Sequence, residues 1–467
     1  MRRRTAGVGA AILAALLLTP APALAHGLVG KVDLPIPRWL FAWAAAVVLV
    51  VSFVALATLW PKPRLADIRE REIGGVPRVL DPACGLIGIL LFAVVVYAGF
   101  AGQQEATANL APTWIYVIFW VGLAFASLIF GDVFRAFNPW RALARGVARV
   151  LPVRSEPLAY PAWLGRWPAV LGIFAFAWLE LVYANKDVPQ TLAILSLVYA
   201  AVQFVGMSLF GIAAWSDRAD AFSVFYGLLA RLAPLRWAEG RLYLRPPFVG
   251  VADLEVMPGT VALLAVMIGS TSFDGFSNGS VWVGSGQLFS SLQSFFVDAG
   301  VAVETASELA STVGLLAMIA IIAGLFRLGV LGMHSLGGKL SKAELAERFV
   351  HSLVPIAAAY LIAHYFSLLA FQGQALGYLA SDPLGNGDDL LGTAGAGIDY
   401  GVVAANVIWY VQVAALVIGH VAGLMLAHER ALIVYRRPSD ATRSQYWMLA
   451  VMVGFTSLGL WILSSTQ

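Results

Sequence analysis

The sequence predicts an all-α integral membrane protein, with about ten transmembrane helices after a cleavable signal peptide and both mature termini extracytoplasmic. Three observations carry this. Charged residues are 12% and apolar residues 60% of the 467, and the mean hydropathy is +0.80, a balance that leaves too little polar surface for a soluble core of this size. Long apolar runs recur along the chain. The basic residues fall almost entirely in alternate loops.

Arg2, Arg3 and Arg4, then the apolar run Thr5–Leu18, then Thr19–Ala25 read as the n-, h- and c-regions of a signal peptide. Ala23 and Ala25 make an A-x-A site, so residues 1–25 are expected to be removed, leaving 26–467 as one polytopic domain beginning at His26. Pro35 and Pro37 stiffen the lead into the first span. A span needs about 20 mostly apolar residues. Ten segments qualify, roughly 38–60, 82–102, 112–131, 167–184, 188–214, 257–273, 308–331, 349–371, 402–427 and 446–464.

Loop 61–81 carries Lys62, Arg64, Arg69, Arg71 and Arg78, and the loops at 132–166, 215–256, 327–348 and 428–445 are equally basic. Apart from Arg2–Arg4, only Lys31, Arg38 and Lys186 lie elsewhere. The positive-inside rule therefore puts the basic loops in the cytoplasm. The stretches "NPWRALARGVARVL" and "SDRADAFSVFYGLLARLAP" read as basic amphipathic helices lying on the inner leaflet. Two long outer loops, 274–305 and 372–401, hold no lysine or arginine, and the second is rich in glycine and aspartate. Loops of that length suit functional lids. The net charge of +3 leaves no basic footprint for nucleic acid, so the expected partners are the bilayer and a small apolar substrate.

Titratable groups inside spans are costly and mark sites. Glu180 lies 13 residues past Trp167, and His364 lies 13 past His351, in spans running the same way. Both sit roughly 20 Å above the inner surface, where they could pair, relay a proton or bind a metal. Asp274 closes a span near that depth. These three are the candidate catalytic residues. Tyr360, Asn406 and Gln412 in the spans, with Asp382, Asp388 and Asp389 on the second outer loop, are candidate substrate contacts. His26 and His364 are the candidate ligands for a divalent metal ion. His420, between Gly419 and Gly423, reads as a packing residue at a GxxxG contact, and His334, His351 and His428 read as solvated boundary residues. The single cysteine, Cys84, rules out a disulfide framework and a thiolate metal cluster. There is no GxSxG, HExxH, HxH or P-loop.

The phrases "AHGLVGKVDLPIP", "GDVFRAFNPWRALAR", "YPAWLGRWPAVLGIFAFAWLELVY", "SDRADAFSVFYGLLARLAP", "SFDGFS", "SDPLGNGDDLLGTA" and "VIWYVQVAALVIGHVAGLMLAHERA" occur together. From about residue 25 to the C-terminus the chain resembles a bacterial polytopic membrane family known as fenitrothion hydrolase. The resemblance implies a protein of the bacterial inner membrane that hydrolyses organophosphorus triesters, and it assigns no catalytic residues. Such hydrolysis needs an activated water and a partner for the phosphoryl oxygen, and a metal ion is one way to supply both. Two other readings stand beside it. Ten spans with buried Glu180, Asn406 and His364 suit a proton-coupled transporter of small molecules, and a mature N-terminal His26 suits extracytoplasmic copper or other metal handling.

Overall fold

The computed structural model describes residues 38–65, 68–150, 156–284, 286–335, 340–435 and 437–465. His26 and the expected signal peptide lie outside them. The chain is a multi-pass helical membrane protein, and its helices follow the apolar runs. In order they are α1 (Arg38–Leu59), α2 (Leu80–Ala101), α3 (Leu110–Phe130), α4 (Val133–Phe137), α5 (Pro139–Val150), α6 (Trp167–Leu181), α7 (Pro189–Phe210), α8 (Ile212–Arg218), α9 (Ala221–Ala230), α10 (Thr260–Ser277), α11 (Leu288–Asp298), α12 (Val303–Ser335), α13 (Lys342–Phe349), α14 (Leu353–Gln372), α15 (Leu376–Ser381), α16 (Ala405–Val434) and α17 (Pro438–Ser465).

Eight of the ten expected spans are long and apolar enough to cross a membrane; of the other two, α1 is an apolar helix of 22 residues and α6 one of 15. Burial ranks them. In their most apolar stretches α10 and α14 are 78% buried, against 33% for α2, α7 and α12. The bundle is therefore built around α10 and α14, with the others presenting apolar faces outward, as a lipid environment allows.

Small residues set the closest helix contacts. A Cβ on Gly419 would come within 2.2 Å of Ala359 Cβ, and one on Gly423 within 2.8 Å of the Ser352 carbonyl, so α16 lies directly on α14 as the GxxxG spacing implies. A Cβ on Gly269 would sit 2.7 Å from Ile319 Cα, which seats α10 against α12.

The loops gather at two ends. At the basic end, His428 Nε2 donates to the Trp60 carbonyl, and Glu429 accepts from Trp60 Nε1 and from the amides of Arg64 and Leu65. At the far end, the amides of Gln103 and Leu110 bond the carbonyls of Leu384 and Pro383. These contacts preserve the alternation of basic and non-basic loops.

Three expectations need correction at the basic end. The fold is not purely α: β1 (Arg71–Gly75), β2 (Leu235–Ala238) and β3 (Arg241–Leu244) form a small antiparallel sheet in the order β1-β3-β2. Arg241 pairs with Glu72 and Arg236 with Glu70 across it, so charges that read as loop polarity hold two loops together. The "SDRADAFSVFYGLLARLAP" segment does not lie on a leaflet, since α9 is buried along almost its whole length. Its rings interlock with Phe119, Trp120, Phe134 and Phe176, and Trp120 stacks on Phe225 at 4.5 Å. Finally, His351 and His428 are buried rather than solvated. Each donates to a backbone carbonyl, which satisfies a polar edge that burial would otherwise make costly. His334 is exposed, as expected.

Candidate functional site

Asp274 and His364 meet toward the far end of the two central helices. The last turn of α10 carries Asp274, and α14 carries His364 eight residues before its end. His364 Nε2 stands 2.7 Å from Asp274 Oδ2. Asp274 is 1% and His364 7% exposed, so the pair is out of bulk solvent. The carboxylate accepts, so Nε2 carries the proton of this bond. A Cβ on Gly275 would meet Ile462 Cγ2 at 2.8 Å and lie 3.6 Å from His364 Nδ1, so α17 closes against the pair on that side.

Tyr365 follows His364 and turns to the same carboxylate. Its ring meets the imidazole edge-on at 4.8 Å, and its hydroxyl is close enough to Asp274 to feel that carboxylate's charge. Glu180, also buried, is close enough for its charge to act on the hydroxyls of both Tyr365 and Tyr116. Tyr116 donates to the Lys186 carbonyl at 2.8 Å. Four helices thus bring two carboxylates, one imidazole and two phenols into one neighbourhood.

Local structure explains part of this arrangement. Tyr116 and Trp120 belong to a π-helical stretch, Trp114–Gly122, inside α3. Such widened turns displace side chains from the regular helical rows and recur at functional sites. Trp120 Nε1 approaches the Tyr365 hydroxyl without reaching hydrogen-bond geometry and has no other partner among the described residues. Phe176, one turn before Glu180, packs on Trp120 at 4.8 Å, so an aromatic floor separates the polar cluster from the basic end.

Of the sequence candidates, Asp274, His364 and Glu180 are brought together. The direct partner of His364 is Asp274 because α10 packs against both α6 and α14, interposing its own carboxylate. The substrate-contact candidates are dispersed. Tyr360, one turn before His364, donates to the Phe455 carbonyl at 3.1 Å and ties α14 to α17. Asn406 is exposed at the start of α16, its Oδ1 accepting from the Val407 amide, and Gln412 is buried further along that helix.

The loop aspartates organise their own loop. Asp382 accepts from the amides of Asn386 and Gly387, and Asp389 accepts from Ser381 Oγ at 2.6 Å and from the Ala394 amide at 2.9 Å. Gly385, at φ +70°, passes so close to the Ala108 carbonyl that a Cβ would lie 2.3 Å from it. Asp388 is exposed. Among the described residues no group of three or more His, Cys, Asp or Glu side chains could hold a metal ion, and His26, the other proposed ligand, lies outside them.

His420 is fully buried, as a packing residue should be, and donates from Nδ1 to the Leu416 carbonyl at 2.7 Å. Tyr365, Tyr116 and the buried Asp220 escaped sequence reasoning. Asp220 caps α9 and accepts from Tyr199, Trp140, Asn138 and Ser223. The D-x-x-S spacing of a helix cap was the available signal for it. The tyrosines gave none, since their type is common in apolar spans. Comparison with family models, with curated proteins and with solved structures finds no match.

Proposed function

We propose that the chain is a membrane-embedded hydrolase of small apolar esters, organophosphorus triesters among them, with its site in the outer half of the bilayer. The observation that carries this reading is the buried 2.7 Å pair between His364 and Asp274. A carboxylate that orients an imidazole and stabilises its protonated form is the arrangement by which histidine acts as a general base. In this reading the His364 imidazole takes a proton from water as the water oxygen bonds to phosphorus, Asp274 holds the resulting imidazolium, and the phosphorus–oxygen bond to the nitrophenol breaks, the leaving nitrophenolate recovering the proton from His364. Tyr365 is the nearby hydroxyl able to donate to the phosphoryl oxygen as charge develops there. The resemblance of the sequence to the fenitrothion hydrolase family points the same way, as does the apolar bundle, which a triester would enter from the lipid.

The test is release of nitrophenol from fenitrothion by the purified protein in lipid, with and without chelator. Turnover by the wild type, lost in both His364→Ala and Glu180→Ala, is the expected result. No turnover, or full turnover in both variants, overturns the reading.

A second reading, proton-coupled transport, draws on a different observation. Tyr116, Glu180, Tyr365, Asp274 and His364 form a run of titratable groups from four helices. Buried runs of this kind relay protons in transporters. Substrate-dependent proton flux into liposomes, abolished by Glu180→Gln, would favour it.

A further inference from the structure

At the opposite, basic end, α5 leaves the bundle across the foot of α2 and borders an open groove of about 150 Å³. Its floor exists because α2 carries glycines there. A Cβ on Gly85 would meet Ala142 Cβ at 2.8 Å, and one on Gly88 would meet the Phe137 carbonyl at 1.9 Å. Arg141, Arg145 and Arg149 line the groove from α5. Spaced four apart, they share one helical face. Facing them from α2 is one acid, Asp81, which pairs with both Arg141 and Arg145. The groove therefore carries three guanidinium groups against one carboxylate. Arg141 is held below the usual arginine range, at about 10, first by its burial and then by the Arg145 and Arg135 charges. The local excess of positive charge is thus felt within the cluster.

Two apolar surfaces flank this charge. Leu143, Val147 and Val150 stand exposed on the other side of α5. On α2, Leu86, Leu90 and Val94 are exposed at four-residue intervals, forming a ladder about 12 Å long that starts in the groove and runs toward the middle of the bundle. An anion without a hydrocarbon tail would use the arginines and leave the ladder idle.

We propose that this groove is a binding site for an anionic phospholipid, its phosphodiester held by Arg145 and Arg149 with Arg141 behind them, and an acyl chain lying along Leu86, Leu90 and Val94. The basic end, read from the charge alternation as cytoplasmic, faces the leaflet in which anionic headgroups attract such clusters. The inference is independent of the reaction proposed for the far end.

The test is lipid retention by the purified full chain, measured by native mass spectrometry after addition of phosphatidylglycerol or phosphatidylcholine. The wild type is expected to retain phosphatidylglycerol preferentially. Arg145→Gln with Arg149→Gln should weaken that retention roughly tenfold or more, since each arginine near a membrane surface contributes about a fivefold factor. Arg149→Gln alone, at an exposed position, gives a smaller loss in the same direction and serves if the double variant folds poorly. A control pair at the same end, Arg348→Gln with Arg443→Gln, should leave retention unchanged. Lack of preference for phosphatidylglycerol overturns the site, and so does equal loss in the control pair. Inorganic phosphate that competes fully with the lipid would overturn the lipid assignment, since it would show an anion site with no use for the ladder.

Discussion

Asp274 and His364 are worth more together than either could be alone. Each is buried in apolar surroundings, and their hydrogen bond gives each the polar partner that burial demands. If they act as one unit in water activation, Asp274→Asn and His364→Gln should each cut nitrophenol release by roughly a hundredfold or more. Combining them should cost little beyond either single change. Additive losses would show instead that the two side chains work separately. Ser127 supplies a contrasting case. It is fully buried in α3, and its Oγ has no partner among the described residues. Removing an unsatisfied buried hydroxyl relieves its desolvation cost, so Ser127→Ala should raise stability by about 1 kcal/mol. Thermal unfolding in detergent would register this as a higher midpoint, and a lower one would mean the hydroxyl has a partner in use.

Between elements, close approach at glycine decides the packing. The α14–α16 contact depends on Gly419, where any side chain would overlap Ala359 and the Pro355 carbonyl. Gly419→Val is expected to destabilise the bundle by about 1–3 kcal/mol through overpacking, whereas Gly377→Ala, with open space around it, should not. The far-end loop after α15 shows a different means of order. Bonds from Ser381 Oγ and the Ala394 amide hold the Asp389 carboxyl below its ordinary value. A lowered folded value stabilises the loop above about pH 4, the range in which the unfolded carboxyl is also charged, and that support is lost as pH falls through the folded value. Amide exchange in residues 389–394 should therefore quicken as acid protonates Asp389, and Asp389→Asn should exchange quickly at every pH.

Over the whole molecule, the segregation of loops into a basic and a non-basic end predicts its orientation. In a Cys84→Ala background, a cysteine at Asp388 should react with an impermeant maleimide on intact cells, and one at Asp440 only after permeabilisation. The reverse pattern would invert the topology. The positions of the helices and the separation of the two ends were legible in the chain, because bilayer insertion selects for apolar length and for loop charge, and both are local properties of composition. The GxxxG contact at Gly419 and Gly423 was legible for a similar reason, since the absence of a side chain is visible at any position. Other features depended on partners distant in sequence. The sheet joins residues 71–75 to residues 235–244, and nothing in either segment alone announces the other. The α9 segment carries charges at both ends that suggested a surface, yet the rings of α3 and α6 enclose its middle. His351 and His428 sit among charged neighbours in sequence and among backbone carbonyls in space. Sequence depth brought Glu180, Asp274 and His364 to one level of the membrane. Which of them meet was decided by tertiary packing, because depth follows from counting residues along a helix, whereas the pairing of His364 with Asp274 follows from the insertion of α10 between α6 and α14.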